Sequence, residues 1–211
     1  MDLDQRLVAL AAAAGCLDAA SFLGLEGIFP ANQTGNTALL GIAIGRGDWG
    51  AMGRTGMALL GFCLGALLLG LALRHVARDR AWGPETGAAL WVEVALLAGL
   101  LAVWHTGPVY VAIALAALAM GVQSLAAQRA GVPGVSTTFV TGTLTRLSSR
   151  LGSGEASARA DGTPALVWVA YLAGAVAGGA AIELTGGRVA VAGVLVVVAA
   201  VALSASRRTP A

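Results

Sequence analysis

Two short polar stretches interrupt the apolar segments of this chain and carry groups that could handle a small solute. They are Thr34-Gly35-Asn36 in the first half and Thr141-Gly142-Thr143 in the second. Each places hydroxyl or amide groups beside a glycine, which allows a helix or a solute to approach the backbone closely. A helix that begins there directs N–H groups and a partial positive charge toward a bound solute. The pattern indicates passage of a small polar or anionic solute, with closely packed, capped helix starts as the structural alternative.

Polar side chains in the neighbouring apolar segments extend both stretches. A carboxyl group inside a membrane span costs at least about 2.5–3.5 kcal/mol, so Asp18 is expected to face protein or water and to mark a pathway. The alternative is that Asp18 holds the first break by accepting hydrogen bonds from backbone amides near residues 34–36. The predicted substrate-binding or pathway residues are Asp18, Asn32, Thr34, Gly35, Asn36, Gln123, Ser124, Thr138, Thr141, Gly142 and Thr143.

The composition places these residues in a lipid bilayer. The chain of 211 residues is 57% hydrophobic and 11% charged, whereas soluble domains carry about 25% charged residues. A net charge of +2 is too small to indicate nucleic-acid binding. No cysteine–histidine cluster has metal-ligand spacing, so neither a metal nor a cofactor is expected. Cys16 and Cys63 both lie in apolar segments and are predicted to be packing residues.

The apolar segments predict an all-α transmembrane fold. A spanning helix needs about 20 mainly apolar residues. Segments 30–46 and 130–147 have apolar parts too short to cross, and each is predicted to be an extended polar stretch followed by a short helix with Thr and Asn as cap residues. We predict that both are re-entrant or broken half-helix segments. The six predicted spans are 7–25, 56–73, 88–104, 109–127, 165–183 and 188–204.

The arginines distinguish re-entrant segments from crossing ones. With six spans and cytoplasmic termini, ten arginines lie inside and three outside; with eight spans the division is eight against five. The positive-inside rule favours six spans. Each half then contains three spans, so the halves, residues 1–105 and 106–211, form an inverted-topology repeat.

Matched small-residue motifs support the duplication. The sequence from Phe62 to Ala66 parallels that from Tyr171 to Ala175. These stretches overlap the motifs Gly61-x-x-x-Gly65 and Gly174-x-x-x-Gly178, whose small residues let helices approach closely. Their matched positions predict internal packing, with a homodimer contact as the alternative.

Three further features are predicted to be structural. Glu93 would lie about 7–8 Å into its span at 1.5 Å per residue, shallow enough to snorkel or to pair with Arg78 or Arg80. The five tryptophans lie near predicted span ends, as in an interfacial belt. Residues 148–164 are rich in Ser, Gly and Ala and are predicted to form a flexible cytoplasmic loop.

An ordered set of motifs resembles the YoaK-type family of bacterial membrane proteins. It comprises Gly15-x-x-Asp18-Ala19, Phe29…Thr34-Gly35-Asn36, Gly121-x-Gln123 and Thr137-Thr138…Thr141-Gly142. The resemblance covers nearly the whole chain and implies a polytopic inner-membrane protein of uncharacterised activity. That family commonly has Asn after the glutamine, where this chain has Ser124. The resemblance therefore supports the topology and names no substrate.

Together these features predict a multi-pass protein of the bacterial inner (cytoplasmic) membrane with both termini in the cytoplasm. We expect a transporter or channel-like permease for a small polar or anionic solute, with its pathway between the two repeats. A membrane-embedded enzyme is the first alternative, disfavoured because no acid–histidine cluster or Ser–Lys pairing is present in a convincing context. A non-transporting scaffold is the second, disfavoured by the lack of a sizeable extramembrane surface.

Overall fold

The computed structural model describes residues 1–76, 83–129, 140–154 and 157–206, without the side chains of residues 140, 141 and 158–160. Within these ranges the regular secondary structure is entirely α-helical. The helices are α1 (Leu3–Gly24), α2 (Gln33–Arg46), α3 (Trp49–Ala72), α4 (Pro84–Val103), α5 (Val109–Arg129), α6 (Val140–Gly152), α7 (Ala158–Thr185) and α8 (Arg188–Ser206).

Six of these helices are long and apolar enough to cross a membrane: α1, α3, α4, α5, α7 and α8. The other two are short, with 14 residues in α2 and 13 in α6. At 1.5 Å per residue each is about 20 Å long, less than the hydrocarbon thickness of about 30 Å. The predicted all-α fold with six spanning helices is therefore confirmed for the described residues.

Helices α1, α3 and α4 begin earlier than the apolar pattern predicts, because residues before each apolar segment start the helix. Asp2 forms a capping box at the start of α1, which begins at Leu3. Asp48 is the N-cap of α3, which therefore begins at Trp49. Pro84 occupies the first turn of α4, where its missing N–H leaves no helical hydrogen bond unmade.

The predicted flexible loop at 148–164 is wrong for the described part of that segment. Helix α6 continues to Gly152, and α7 already begins at Ala158. Arg150 pairs with Asp161 at 2.8 Å, which ties the end of α6 to the start of α7. The polar composition that indicates a loop belongs instead to the exposed side of a short helix.

The helices of one half pack mainly on helices of the other half. Between the halves, the most extensive contacts are α1 on α7 and α3 on α5, followed by α4 on α5, α4 on α8 and α1 on α8. Within a half, α2 packs on α3, α6 on α7 and α7 on α8. The two halves are therefore interlocked instead of lying side by side as separate domains.

Glycines bring α7 into backbone contact with α1. A Cβ atom at Gly174 would overlap the carbonyl group of Ala12, and one at Gly178 would overlap the carbonyl group of Cys16. Because Gly178 and Cys16 each lie one turn after the first pair, the two helices run parallel.

The same arrangement joins α3 to α5. A Cβ atom at Gly65 would overlap the carbonyl group of Leu118, and Gly70 lies against Leu125 farther along both helices. These two helices are therefore also parallel. The prediction that the two glycine motifs serve internal packing is confirmed.

Helix α8 runs antiparallel to both α1 and α4. Arg6, at the start of α1, donates from Nη2 to the carbonyl oxygen of Ser204 near the end of α8 at 2.7 Å. Gly87, at the start of α4, lies against Ser206. The four helices α1, α8, α4 and α5 thus form the centre of the bundle, and α1 also touches α5.

Trp104 is a core residue, so its predicted place in an interfacial belt is wrong. Its ring is fully buried, and the indole N–H donates to the carbonyl oxygen of Gly186 at 3.0 Å. The chain turns directly after it, at His105, which has a positive φ. The Trp104 ring therefore packs next to Gly187, directly before the start of α8. Trp49 is 79% exposed, as a belt residue would be, and Trp82 lies outside the described residues.

Candidate functional site

Asp18 joins three parts of the chain at one point. Its side chain lies within α1 and is 2% exposed. Oδ1 accepts the backbone N–H of Ala31 at 2.7 Å, and Oδ2 accepts the hydroxyl of Tyr171 from α7. The carboxylate therefore holds the segment between α1 and α2 against both long helices. This tether acts through Ala31, and no hydrogen bond joins Asp18 to the amides of residues 34–36.

Asn36 fixes the same segment from the α2 side. Its buried amide accepts the backbone N–H of Phe29 at 3.0 Å and donates to the Phe29 carbonyl oxygen at 2.5 Å. Backbone that leaves helical geometry at membrane depth must find such partners, because no water is available there. Asn36 thus supplies both hydrogen bonds that the backbone of Phe29 would otherwise lack.

Asn32 and Gly35 form the start of α2. Asn32 is the N-cap, and its side-chain oxygen accepts the Gly35 N–H at 3.1 Å. A Cβ atom at Gly35 would lie 2.9 Å from the ring of Phe29, which itself stacks on Phe22 with centroids 4.7 Å apart. The first break is therefore a helix start built around an aromatic pair, and Thr34 stands exposed beside it.

The second break also opens a short helix. Gly142 and Thr143 lie in the first turn of α6, and Thr143 is 4% exposed. Thr138 lies outside the described residues, as does the side chain of Thr141. In both halves the Thr-Gly pair therefore belongs to the first turn of a helix too short to cross the bilayer.

Gln123 lies in the core at a different depth from Asp18. Its fully buried amide donates to the carbonyl oxygen of Leu10 at 3.1 Å. Leu10 precedes Asp18 by two turns of α1, which is about 12 Å at 1.5 Å per residue. The Gln123 side-chain oxygen has no hydrogen-bond partner among the described residues, and Ser124 beside it is 4% exposed. The predicted site residues therefore form two polar groups at different depths.

Glu93 is a buried acid, and its predicted shallow position is wrong. The side chain is 0% exposed, and neither carboxylate oxygen has a hydrogen-bond partner in the described part of the chain. Because α4 begins at Pro84, Glu93 lies near the middle of a helix of 20 residues. Its predicted partners Arg78 and Arg80 lie outside the described residues.

Tyr171 is the site residue that sequence reasoning misses. It aligns with Phe62 in the comparison of the two halves, so its hydroxyl is a polar addition in the second half. Asp18 aligns with Ser124, since each lies three residues after a matched glycine. The two groups that differ between the halves therefore bond to each other. That shared asymmetry is the signal that could have identified Tyr171.

A cavity of about 220 Å³ opens beside α2. Its walls come from the end of α1, from α2 and from the start of α3, and they include Glu26, Arg46 and Asp48. Glu26 also pairs with Arg54 of α3 at 3.0 Å. At about 30 Å³ per water molecule, this volume corresponds to about seven water molecules.

Comparison with known proteins assigns the chain to a family. The sequence model of a family described as "Protein of unknown function (DUF1275)" matches residues 6–204. The chain belongs to this family. The match includes both halves and every described helix, and so both polar groups of the candidate site.

A curated relative is itself named as a transmembrane protein. The chain is 36% identical over 137 residues to "UPF0700 transmembrane protein YoaK" of Bacillus subtilis (strain 168). The alignment covers 64% of this chain and 60% of the relative, less than two thirds of the relative's length. The resemblance to the YoaK-type family is thereby confirmed, and with six apolar helices the protein is an integral membrane protein. No solved structure matches the chain.

Proposed function

We propose that the protein is a transporter or channel-like permease of the bacterial inner membrane, with its pathway between two inverted repeats. The matched packing of the halves carries this proposal. Helix α1 packs on α7 as α5 packs on α3. Gly15 lies against the carbonyl group of Tyr171, and Gly121 lies against that of Phe62. Equivalent residues thus make equivalent contacts, as expected for a duplicated transporter fold.

The helix directions support inverted repeats over parallel ones. Helix α8 is antiparallel to α1 and to α4, so α1 and α4 point the same way. Helix α5 follows α4 after a short connection, with Gly99 against Leu115, and is antiparallel to it. Equivalent helices α1 and α5 therefore run in opposite directions, and repeats of this kind form solute sites at their interface.

The surroundings of α2 support a re-entrant first segment. The backbone of Ala31 reaches the depth of Asp18 inside the bundle. The ends of α1 and α2 and the start of α3 border the same cavity, through Glu26, Arg46 and Asp48 respectively. The chain therefore descends from the end of α1 and returns to the same side along α2. We extend this proposal to α6, whose Thr-Gly pair is matched in sequence.

The arginines support cytoplasmic termini. Arg6, Arg74 and Arg129 lie at the end of the bundle where α1 begins, whereas Arg46 and Arg188 lie at the opposite end. The positive-inside rule assigns the first end to the cytoplasm. The cavity beside α2 then opens outward, and we propose it as the outer vestibule.

The buried polar atoms favour a solute that donates hydrogen bonds. Ser21, Glu93 and Gln123 lie within central helices, and each has a side-chain oxygen that finds no hydrogen-bond partner among the residues that the structure describes. Unpaired acceptors cost about 1–3 kcal/mol each when buried, and a donor-bearing solute would relieve that cost. Within the class of small polar or anionic solutes, the described residues thus favour a neutral polar molecule.

One observation favours the alternative of a non-transporting scaffold. The polar groups of Asp18, Asn32 and Asn36 are all bonded to the chain's own backbone. Such bonds hold a fold together whether or not a solute passes. A membrane-embedded enzyme has no comparable observation in its favour.

Solute flux into proteoliposomes tests the proposed function. We expect the wild-type protein to carry at least one of a panel of labelled neutral polar solutes, anions and weak acids. Asp18→Asn should lower the rate about tenfold or more, because hydrogen bonds to a charged group contribute about 1.5–3 kcal/mol. Asp4→Asn alters an exposed acid of the same helix and should leave the rate unchanged.

A different result would contradict the transporter proposal. If wild-type vesicles carry none of these solutes, and if cells with Asp18→Asn or Gly35→Leu behave like wild-type cells, the transporter proposal fails and the scaffold is the better account.

A further inference from the structure

Glu93 and Gln123 place unpaired oxygen atoms at nearly the same depth in the centre of the bundle. Both side chains are 0% exposed. Within the described ranges, both carboxylate oxygens of Glu93 and the amide oxygen of Gln123 have no hydrogen-bond partner. Because α4 and α5 are antiparallel with Gly99 against Leu115, residue 93 lies level with residues 121–123. The amide nitrogen of Gln123 is bonded to α1, which leaves its oxygen free to accept.

The surroundings of Glu93 are apolar. Its neighbours along the buried face of α4 are Leu90 and Leu97, and the buried residues of α8 at its level are Val198 and Val201. A leucine at position 93 would fit such a site at no electrostatic cost. An acid within a membrane span is costly, so a compensating partner is expected.

Charged and titratable side chains of the packed helices lie away from this point. On α5 they are Tyr110 and Arg129, at its two ends, and on α8 the charged residue is Arg188, at its start. Glu85 lies in the first turn of α4. On α1, which Gln123 contacts, Arg6 donates to the end of α8, and Asp18 is bonded to Ala31 and Tyr171.

We propose that Glu93 and Gln123 form a binding site for a small cation, either a proton or Na⁺. A bound proton turns the carboxylate into an acid that can donate a hydrogen bond, and Gln123 supplies an acceptor at the same depth. A bound Na⁺ would instead take oxygen ligands from both side chains, as hard cations do. Occupation requires only the addition or removal of the cation, with no other bond formed or broken.

In a transporter, this site holds the ion that is coupled to solute transport, and this coupling role rests on the proposed function. Cation binding at Glu93 and Gln123 does not depend on that function. Asp18 is a poorer candidate for the same role because protein donors already engage both of its oxygens. The test below therefore measures occupation without any solute or flux.

A hydrophobic carbodiimide labels buried, protonated carboxyl groups and tests the site in membranes. We expect the peptide that contains Glu93 to gain the reagent's mass at mildly acidic pH, with several-fold more label than the peptide that contains Glu85. If the occupant is a proton, labelling falls as the pH rises and is the same in Na⁺ and in choline. If the occupant is Na⁺, labelling at fixed pH falls in Na⁺ relative to choline.

A second measurement does not require the carbodiimide to reach Glu93. Glu93→Gln preserves the volume of the side chain and removes its charge. Because a ligand that binds the folded state stabilises it by mass action, the melting temperature of wild-type protein should depend on pH or Na⁺ more strongly than that of the variant. The proposal is overturned if Glu93 is unlabelled under every condition and both proteins show the same dependence on pH and Na⁺.

Discussion

Gly174→Leu should abolish the folded protein, whereas Gly179→Leu in the same helix should leave it intact. A Cβ atom at Gly174 already overlaps the carbonyl group of Ala12 in α1, and a leucine adds a branched side chain to a contact between two backbones. Gly179 has no neighbouring atom that a Cβ would meet. Size-exclusion chromatography in mild detergent measures the result, as the yield of monodisperse protein.

Alanine at the same positions gives a graded version of this test. In a helix, alanine is favoured over glycine by about 1 kcal/mol, so Gly179→Ala should be neutral or stabilising. At Gly174 the steric cost of overpacking, typically about 1–3 kcal/mol, should exceed that gain and lower the melting temperature. Gly65→Leu and Gly56→Leu form the equivalent pair in α3, where Gly65 faces α5 and Gly56 is open. Equal tolerance at Gly174 and Gly179 would contradict the backbone contact.

Residues 1–105 and residues 106–211 should each fail to fold alone and should assemble when produced together. Separated from the second half, α1 loses α7 and α8, α3 loses α5, and α4 loses both α5 and α8. The packing of α2 on α3 is the substantial contact left within the first half. In a bilayer, helices associate through such packing and not through the hydrophobic effect.

Co-purification measures this assembly. With an affinity tag on one half, we expect the untagged half to be recovered at equal amount, with a melting temperature close to that of the intact chain. Each half produced by itself should be degraded or aggregated. A stable, monodisperse first half on its own would show that the halves are independent domains, which the interlocked packing does not allow.

The apolar pattern predicts the six spans well because burial in lipid demands long apolar segments whatever their neighbours are. It predicts helix ends less well. Asp48 and Pro84 begin α3 and α4 through capping and backbone geometry, which hydropathy does not measure. The composition of residues 148–164 indicates a loop, whereas α6 continues to Gly152 and α7 begins at Ala158.

The candidate site is predicted only in part, since a motif identifies polar residues without their partners. Asn32, Gly35 and Asn36 belong together because they start one helix, and that grouping follows from sequence. The bond between Asp18 and Tyr171 joins residues far apart in the chain. The depths of Gln123 and Glu93 depend on how the central helices are offset against each other, which no local pattern specifies.

Asymmetry between the halves concentrates at the proposed pathway. Asp18 corresponds to Ser124 of the other half, and Tyr171 corresponds to Phe62. Asp18 and Tyr171 are hydrogen-bonded to each other. Glu93 lies on α4, which packs on the valine-rich helix α8. The matched glycine contacts hold the helices together, and the polar side chains of the interior differ between the two halves.

The proposed pathway runs between two breaks that open to opposite sides of the membrane. Cysteines placed one at a time at 34–36 and 141–143 test it, in protein whose Cys16 and Cys63 are replaced by alanine. A membrane-impermeant thiol reagent should label the first group from outside and the second from the cytoplasmic side of inverted vesicles. Leu64→Cys, on the exposed apolar face of α3, should stay unlabelled from both sides. Labelling of both groups from one side, or of neither, would contradict the account.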